Sequence, residues 1–520
     1  MATTTAPKFK PNVVDRVVGW FDPLRGLRRV NARQVLARAY EGASKRDGWH
    51  PQRPGASADA DHAGDATELR HRARALVHNV PYMAQGLRSL VANVIGTGIA
   101  PNWTGLRADV LNSAWDRWTK EADADGRMDL YGLQAAAYRA MEQDGEVLVR
   151  FRPRLRSDGL TVPLQIQLLE IDWLDSQKTG RLQTGGWIRN GIEYDPLGRV
   201  AGYWLFDDHP GEMAGAVMRR TGSSRKVDAA YICHLFTPDR PGQGRGFSRL
   251  APVIARVRDL QLYEDAEISR KNLESRLSVL GSGDIDLLGN AGPGEAEALR
   301  TGNLGELPSG SVMQVPTGTN LTVVQPHAMP GYVQYVKHQL HIIAAGFGVT
   351  YEMMTGDVSE VNFSSARVRM LDFRREAELT QWTLLVPKLC DRICREFEDA
   401  CVLAGIVQRA QYQFEHATPK WNYVDPAKDV KADLAEISGG LSSISEKLRQ
   451  RGYKPADVFR ELATDIATLR ELGIFDALAA MRTGQSTAGN DAAGDATTDE
   501  ARPKTKAPAD DGGDGGEDDA

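Results

Sequence analysis

The sequence has few cysteines, no long apolar run and no short motif of a common enzyme class. Only four of its 520 residues are cysteines, which argues against a disulfide framework and favours a reducing compartment. No run of about 18 apolar residues occurs, so we expect no membrane span. Residues 1–11 are small, polar and basic, without the apolar centre of a signal peptide. These absences favour a soluble globular chain with a sizeable core.

Catalytic motifs are missing as well. No Gly-Lys dipeptide occurs, which excludes the phosphate-binding P-loop. Neither the zinc-protease helix motif nor the nucleophile-elbow serine motif is present. The glycine-rich residues 242–246 lack the dinucleotide-binding spacing and indicate a plain turn before a helix. Asp172 and Asp175 resemble paired acids, but a turn at a strand end explains them more simply. We expect no enzyme activity and no cofactor.

Histidine and cysteine spacing gives no convincing metal site. His338 and His341 are one helical turn apart, but no cysteine or carboxylate pattern accompanies them. Cys390, Cys394 and Cys401 share one predicted helix, where small buried apolar side chains are the default. We therefore predict packing or surface roles for these residues, and no bound metal.

The charge is divided unevenly along the chain. The net charge is −6. Residues 483–520 hold ten acidic and three basic residues, a net of −7, so the remainder carries about +1. Residues 1–38 hold eight basic and two acidic residues. A basic arm and a low-complexity, disordered acidic tail are thus expected to flank a nearly neutral body.

The most regular feature is a helical period over residues 364–404. Its apolar positions fall on one stripe: Val368, Leu371, Leu379, Trp382, Val386, Leu389, Ile393, Phe397 and Ala404. A helix of this length spans roughly 60 Å. Pro387 removes one backbone donor, so we predict a kink there. A second helix is predicted at 332–347, and the polar segment between the two predicts a projecting hairpin tip. An ordinary helical hairpin inside a core is the alternative.

The other elements predict an α+β fold that is predominantly helical. Further helices are predicted at 13–21, 32–40, 67–95 with a break near Pro81, 106–122, 130–143, 247–277, 428–437, 441–451 and 455–472. Strands are predicted at 146–152, 164–171, 187–194, 199–206 and 229–236, mostly antiparallel. Residues 47–65 are typical of a linker. Within 278–329 we expect a short helix at 293–299 and strands at 312–315 and 321–324.

Several segments together resemble the portal proteins of tailed bacteriophages, in the lambda-type family. The resemblance covers roughly residues 10–475 and depends on the order and spacing of its parts. They are residues 72–103, Asp144-Gly145-Glu146-Val147 with Glu170-Ile171-Asp172, residues 191–203, residues 243–252, residues 347–367, and Trp421 with residues 425–429.

The resemblance implies a portal fold with wing, stem, clip and crown regions. It divides the chain into an arm and linker (1–66), wing (67–246), stem helix (247–277), clip (278–329), second stem helix (330–348), tunnel loop (349–363), long kinked wing helix (364–404), crown (405–475) and disordered tail (476–520). The tunnel-loop residues expected at the DNA channel are Thr350, Tyr351, Glu352, Thr355, Asp357, Glu360, Asn362 and Phe363. The loop is acidic, so contact with DNA is expected to be loose.

The implied function is a ring, usually of twelve subunits, at one capsid vertex, through which DNA is packaged and ejected. The implied partners are the terminase motor, head-tail connector proteins, the major capsid and scaffold proteins, and double-stranded DNA without sequence preference. The implied location is the virion, and the host cytoplasm during assembly. Possible contacts with DNA or a neighbouring subunit are Arg367, Arg369, Arg374 and Arg375. A head-morphogenesis protein without a channel, and a DNA-packaging enzyme, remain alternatives.

Overall fold

The structure is a computed structural model that describes residues 13–23, 25, 55–211, 223–276, 280–283, 313–316, 331–359, 363–419, 421, 426–453 and 455–475. It divides into two compact units, residues 1–452 and 453–520. In these ranges, no helix combines the length and the apolar character that a membrane crossing requires. The predicted helices at 32–40 and 293–299, the strand at 321–324 and the tail at 476–520 lie outside them.

Helices dominate the chain. They are α1 (Val13–Phe21), α2 (Ala58–Asn79), α3 (Pro81–Val94), α4 (Ala108–Trp118), α5 (Leu130–Asp144), α6 (Ile254–Arg276), α7 (Tyr332–Phe347), α8 (Tyr351–Thr355), α9 (Phe363–Thr380), α10 (Asp391–Leu403), α11 (Pro426–Ser438), α12 (Ile444–Gln450) and α13 (Pro455–Glu471). A π-helical segment, Gln381–Cys390, joins α9 to α10.

The strands form small sheets. They are β1 (Ala100–Thr104), β2 (Glu146–Pro153), β3 (Leu164–Glu170), β4 (Gly180–Arg181), β5 (Trp187–Arg189), β6 (Ile192–Tyr194), β7 (Val200–Phe206), β8 (Ser224–Asp228), β9 (Ile232–Phe236), β10 (Leu280–Gly283), β11 (Met313–Pro316) and β12 (Gln413–Ala417). One sheet has the order β3-β2-β9 and another β4-β5-β6-β7-β8, both antiparallel. β1 pairs with β12 antiparallel, and β10 with β11 parallel. The predicted α+β class is thus confirmed as a mixture of helices and strands.

Local signals set several helix ends. Ser57 caps α2 by accepting a hydrogen bond from the Ala60 N–H. Pro81 occupies the first turn of α3, where its missing N–H costs nothing. Asp129 caps α5, and Gly145 ends it with φ +94°, a left-handed conformation that favours glycine. α5 therefore leads directly into β2.

One large core unites most of the first unit. It packs α2–α5 and one face of the β3-β2-β9 sheet against α6, α7, the π-segment and α10. Trp103, Trp115 and Trp118 surround Phe397, with ring centroids 5.0–5.5 Å from it. A smaller core lies between the other face of that sheet and the five-stranded sheet. Trp115 and Trp118 thus pack in the core, as their spacing predicts.

The predicted long helix is present as a continuous helical rod, but its centre differs from expectation. Pro387 lies in the π-segment, where the Asp391 N–H donates to the Val386 carbonyl five residues back. A π-turn accommodates a residue without an N–H. Buried Gln381 anchors the start of the segment by donating to the Val94 carbonyl at 2.7 Å. The structure thus places a change of helix type at Pro387, and the kink stays a prediction.

Two predicted helix starts were wrong. Residues 58–66 belong to α2 and not to a linker, because Ser57 caps the helix earlier than the apolar pattern shows. α6 begins at Ile254 and not at 247, since residues 248–253 form turns with Leu250 and Val253 buried. The predicted crown, 405–475, includes β12, which pairs with β1, and the extent of the crown stays a prediction.

In the second unit the structure describes Tyr453, α13 and residues 472–475. Phe459, Leu462 and Ile466 recur at helical spacing on α13 and are all exposed in the single chain.

Candidate functional site

The segment 349–363, predicted as a projecting loop, is folded in its first half. Thr350 caps α8 by accepting a hydrogen bond from the Met353 N–H, and Gly356 ends this helix with φ +75°. Met354 of α8 is buried. The prediction of a loop was therefore wrong for Tyr351–Thr355. These residues form a helix because one amphipathic turn packs against α3.

Polar contacts fix α8 on both sides. The Ser89 hydroxyl on α3 donates to the Met353 carbonyl at 3.0 Å. Arg369 on α9 forms an ion pair with Glu352. The ring of Tyr351 stacks on His341 with centroids 4.3 Å apart. His341 therefore has the packing role that its sequence context favours, and α8 is tied to α3, α7 and α9.

The described tip of the segment is residues 356–359, of which Val358 is 68% exposed. Asp357 accepts hydrogen bonds from the Ser359 hydroxyl at 2.6 Å and from Tyr351 at 3.1 Å. The Ser359 hydroxyl and backbone N–H, together with Tyr351, lower the pKa of Asp357 below its usual value. The tip is therefore anionic at neutral pH. Phe363 is the first residue of α9, and Glu360 and Asn362 lie outside the described residues.

Arg249 joins the base of this segment to the body. Its Nε donates to the Phe347 carbonyl at 2.7 Å, at the end of α7. Its Nη2 pairs with Glu376 on α9, and its Nη1 lies 3.5 Å from Glu142 on α5. Burial raises the pKa of Glu142, although Arg249 opposes the shift. One arginine thus connects α5, α7 and α9 where the segment begins.

The four arginines proposed to contact DNA or a neighbour all have partners within the chain. Arg367 pairs with Asp429 on α11 at 2.9 Å. Arg369 pairs with Glu352, as described above. Arg374 lies 5.3 Å from the ring centroid of Trp421, and Arg375 pairs with Asp372 one turn away. These contacts make α9 a scaffold for α8 and α11 within one chain.

The predicted apolar stripe of the long helix is buried along only half of its length. Val386, Leu389, Ile393 and Phe397 lie in the core. The earlier positions stay open in the single chain: Val368 is 60% exposed, Leu371 42%, Leu379 61% and Trp382 51%. We call these four residues the α9 stripe. Because the same period continues through both halves, the open half has the character of an uncovered contact surface.

A groove of about 890 Å³ lies beside the stripe, between α9, β12, α11 and α12. Leu371, Trp382 and Trp421 contribute its apolar lining. The Trp421 indole N–H donates to Glu378 at 3.1 Å. Arg449 on α12 pairs with Glu415 on β12 at 2.8 Å. The groove is therefore bounded by ion pairs and has aromatic side chains in its lining.

A buried charged cluster connects α2, β2, β9 and the loop before α6. Arg245 is 2% exposed and donates to the Glu146 carboxylate through Nε at 2.8 Å and Nη2 at 2.6 Å. The imidazole Nε2 atoms of His234 and His62 lie 3.0 and 3.4 Å from the same carboxylate. Burial alone would raise the pKa of Glu146, but Arg245 and the two histidines lower it well below its usual value.

Sequence reasoning missed this cluster because its members are far apart in the chain. Residues 242–246 do form a turn before a helix, as predicted, but their arginine points into the protein. Arg245 also donates to the Asn190 carbonyl at 2.9 Å, and the Gly244 N–H donates to Asp59 at 2.8 Å. The sequence offers one signal for the cluster: Glu146 and Arg245 are each a single charged residue next to a glycine.

Three side chains that could bind a metal lie close together. Oxygen or nitrogen atoms of Glu170, Asp172 and His209 lie within 4.8 Å of one another. Arg74 already supplies a cation there, since its Nη2 lies 2.7 Å from Asp172 and 3.1 Å from Glu170. Asp175 instead accepts from the Ser224 hydroxyl at 2.6 Å. Asp172 thus serves in ion pairs and Asp175 in a hydrogen bond.

The four cysteines are buried and unbridged. Burial raises the pKa of the Cys233 thiol to about 11 and that of Cys401 to about 12. It also raises the pKa values of Cys390 and Cys394. The predicted apolar role of the helix cysteines is confirmed, because thiols in such surroundings are unreactive.

Comparisons with known proteins agree with one another. The model of the family described as "Phage portal protein, lambda family" matches residues 43–381. The chain is 26% identical over 440 residues to the probable portal protein of Halomonas phage phiHAP-1, covering 80% of this chain and 84% of the relative. It is 21% identical over 485 residues to portal protein B of Escherichia phage lambda, covering 82% and 88%.

Among solved structures, a chain from the neck of a native gene transfer agent particle, computed with C12 symmetry, matches with a TM-score of 0.39 and 17% identity. The match covers 75% of this chain and 94% of that chain.

Proposed function

This chain belongs to the lambda family of phage portal proteins, and we propose that it assembles into a ring of twelve subunits at one vertex of the capsid. The observation that carries the function is the family match over residues 43–381 of a 520-residue chain. The protein is a structural component and not an enzyme, as its lack of catalytic motifs predicts. Its place in the virion is the portal vertex, and we propose that assembly occurs in the host cytoplasm.

The proposed path of DNA is the central opening of this ring. In this arrangement α6 and α7 are the stem helices, and residues 278–329 are the clip. The rod that crosses the wing consists of α9, the π-segment and α10. The contact of Tyr263 on α6 with Tyr332 and Tyr335 on α7, at ring-centroid distances of 5.9 and 4.8 Å, supports a paired stem. Subunits in such a ring contact their neighbours through two different faces.

The tip of residues 356–361 is proposed to face DNA. A portal must let a polyanion slide without holding it, whereas Lys and Arg contacts with phosphates hold it tightly. Residues 350–363 contain Glu352, Asp357 and Glu360 and no Lys or Arg. The lowered pKa of Asp357 keeps that side chain charged. Loose steric contact, without sequence preference, follows from this charge.

The same segment has a rigid base and an exposed end, which suits a part that touches a moving substrate. Glu352 and Met353 are anchored to Arg369 and Ser89, while Val358 is open to solvent. The remaining proposed partners are the terminase motor and head-tail connector at the clip, and the major capsid and scaffold proteins around the ring.

Deleting residues 356–361 tests the proposed DNA contact. Thr355 stays in place because its hydroxyl donates to the Tyr351 carbonyl at 2.8 Å and completes α8. We expect rings of unchanged mass, and a loss of packaged or retained DNA in a phage assembly that depends on this chain. A Gly/Ser replacement of the same length is the matched control for loop closure. Normal packaging and retention by the deletion variant would contradict the proposed contact.

A further inference from the structure

The short helix α1 presents an apolar face that none of the residues described in the structure covers. Val14 is 48% exposed, Val17 51%, Trp20 80% and Phe21 76%. Their spacing places them on one side of the helix. The rings of Trp20 and Phe21 contact each other edge-on at 4.9 Å. A helix of nine residues is marginal alone in water, and packing of its apolar face is what stabilises such a helix.

The α9 stripe is a second uncovered surface, and its form complements that of α1. Leu371 and Trp382 belong both to the stripe and to the lining of the 890 Å³ groove. From Val368 to Trp382 the stripe extends about 21 Å, whereas α1 is about 13 Å long. The groove therefore provides both the length for the helix and a recess for its two aromatic rings.

We propose that α1 of one subunit docks its apolar face on the α9 stripe and groove of a second copy of this chain. The proposal rests on the ring described under Proposed function. It assigns the basic arm a role in holding neighbouring subunits together.

The charges around the groove favour a protein occupant. An apolar centre with Trp and Arg inside a polar rim is the usual anatomy of a protein interface. A nucleic-acid site would instead be clearly basic. The rim is balanced, with five basic residues (Arg367, Arg374, Lys447, Arg449, Arg451) and five acidic residues (Glu378, Glu415, Asp429, Asp433, Glu446).

A second copy is favoured over docking within one chain. Both surfaces are exposed in the part of the single chain that the structure describes, although the same chain carries both. The 29 residues between residues 25 and 55 give 30 steps along the chain, which at about 3.3 Å per step reach at most about 100 Å. In a ring, tethered neighbours are present at a high effective concentration, which strengthens a contact that is weak between free partners.

Cysteine crosslinking in mixed assemblies tests the proposal. One tagged copy carries Val17→Cys and a second copy carries Leu371→Cys, and the two are assembled together and treated with a short bismaleimide. The four native thiols are buried and do not compete. We expect a covalent pair of the two copies. Adding Trp20→Ala to the first copy is expected to reduce the yield about tenfold, because a large apolar contact is lost.

The controls separate this inference from the ring itself. Leu197→Cys, in the exposed turn between β6 and β7, replaces Leu371→Cys as the control for random collision. A crosslink within single chains that carry both cysteines, with none between copies, would overturn the proposal. Rings of normal mass without a crosslinked pair would overturn it and leave the proposed function standing. Failure to form any ring would overturn both.

Discussion

Arg245 and Glu146, 99 residues apart in the sequence, form a two-point ion pair with neither side chain more than 2% exposed. The pair connects the loop before α6 to the first residue of β2. His234 on β9 and His62 on α2 reach the same carboxylate. Four separate parts of the chain thus depend on one buried negative charge.

Replacing Glu146 with glutamine should strongly destabilise the first unit. The substitution leaves Arg245 charged and unpaired in the core, which typically costs about 3–5 kcal/mol. Asp207→Asn, which breaks an exposed pair with Arg225, is the matched control and should cost less than about 1 kcal/mol. Urea unfolding followed by circular dichroism measures both. Equal effects of the two variants would show that the buried pair has no special role.

Stability should fall as the pH is lowered from 7 to 5. Burial lowers the pKa of His234 below 6.5, although Glu146 opposes the shift. The folded protein therefore keeps His234 neutral where the unfolded chain takes up a proton, so acid favours unfolding. His234→Gln, which does not titrate, should flatten this dependence in melting curves across the range.

Two other buried groups bear on that measurement. His416 has a pKa lowered by burial and acts in the same direction. Glu142 has a raised pKa and acts in the opposite direction above pH 4.5. The contribution of His234 is therefore the difference between the native and His234→Gln curves. If the melting temperatures of the two proteins changed in parallel with pH, the proposed contribution of His234 would be contradicted.

Gly145→Ala should be far more damaging than Gly159→Ala. Both glycines have positive φ, +94° and +77°. A Cβ on Gly145 would lie 2.5 Å from the backbone of Phe247, whereas one on Gly159 would meet nothing within 4 Å. We expect a cost of about 1 kcal/mol at Gly159 from backbone strain, and more than about 3 kcal/mol at Gly145. Similar denaturation midpoints for the two variants would show that the backbones of Gly145 and Phe247 are not in tight contact.

Removing the Arg369 side chain should loosen α8. The Arg369–Glu352 pair ties α8 to α9, so Arg369→Ala should increase hydrogen exchange in residues 350–359 without changing subunit assembly. Arg375→Ala breaks only an exposed pair within α9 and should leave that exchange unchanged. Equal exchange in both variants would mean that Ser89, Met354 and the Tyr351–His341 stacking hold α8 without this ion pair.

The sequence was most informative where one period runs unbroken. The rod from α9 to α10 follows from its apolar spacing, and β2, β3, β7 and β9 follow from alternation and turn residues. β5 and β6 were predicted as one strand, and β4 and β8 were not predicted. Pro387 predicted an irregularity, but not that a π-turn would absorb it. The segment begins at Gln381, whose side chain donates to the distant Val94 carbonyl, a contact that no local pattern shows.

What the sequence could not show depends on distant partners. β1 and β12 pair across more than 300 residues, with Ala100 opposite Ala417, and neither strand has a strong local pattern. Arg245 looked like part of a solvent-exposed turn because its partner Glu146 is distant in the sequence. α8 looked like loop because one helical turn is too short to give a period, and its burial comes from α3.

The most direct test of the portal assignment is the mass and shape of the purified assembly. Twelve copies of a 57.0 kDa chain total about 684 kDa in a closed ring. Native mass spectrometry should give that mass, and electron micrographs of the same sample should show a ring with an axial opening. A monomer, or a closed shell without a channel, would contradict the account.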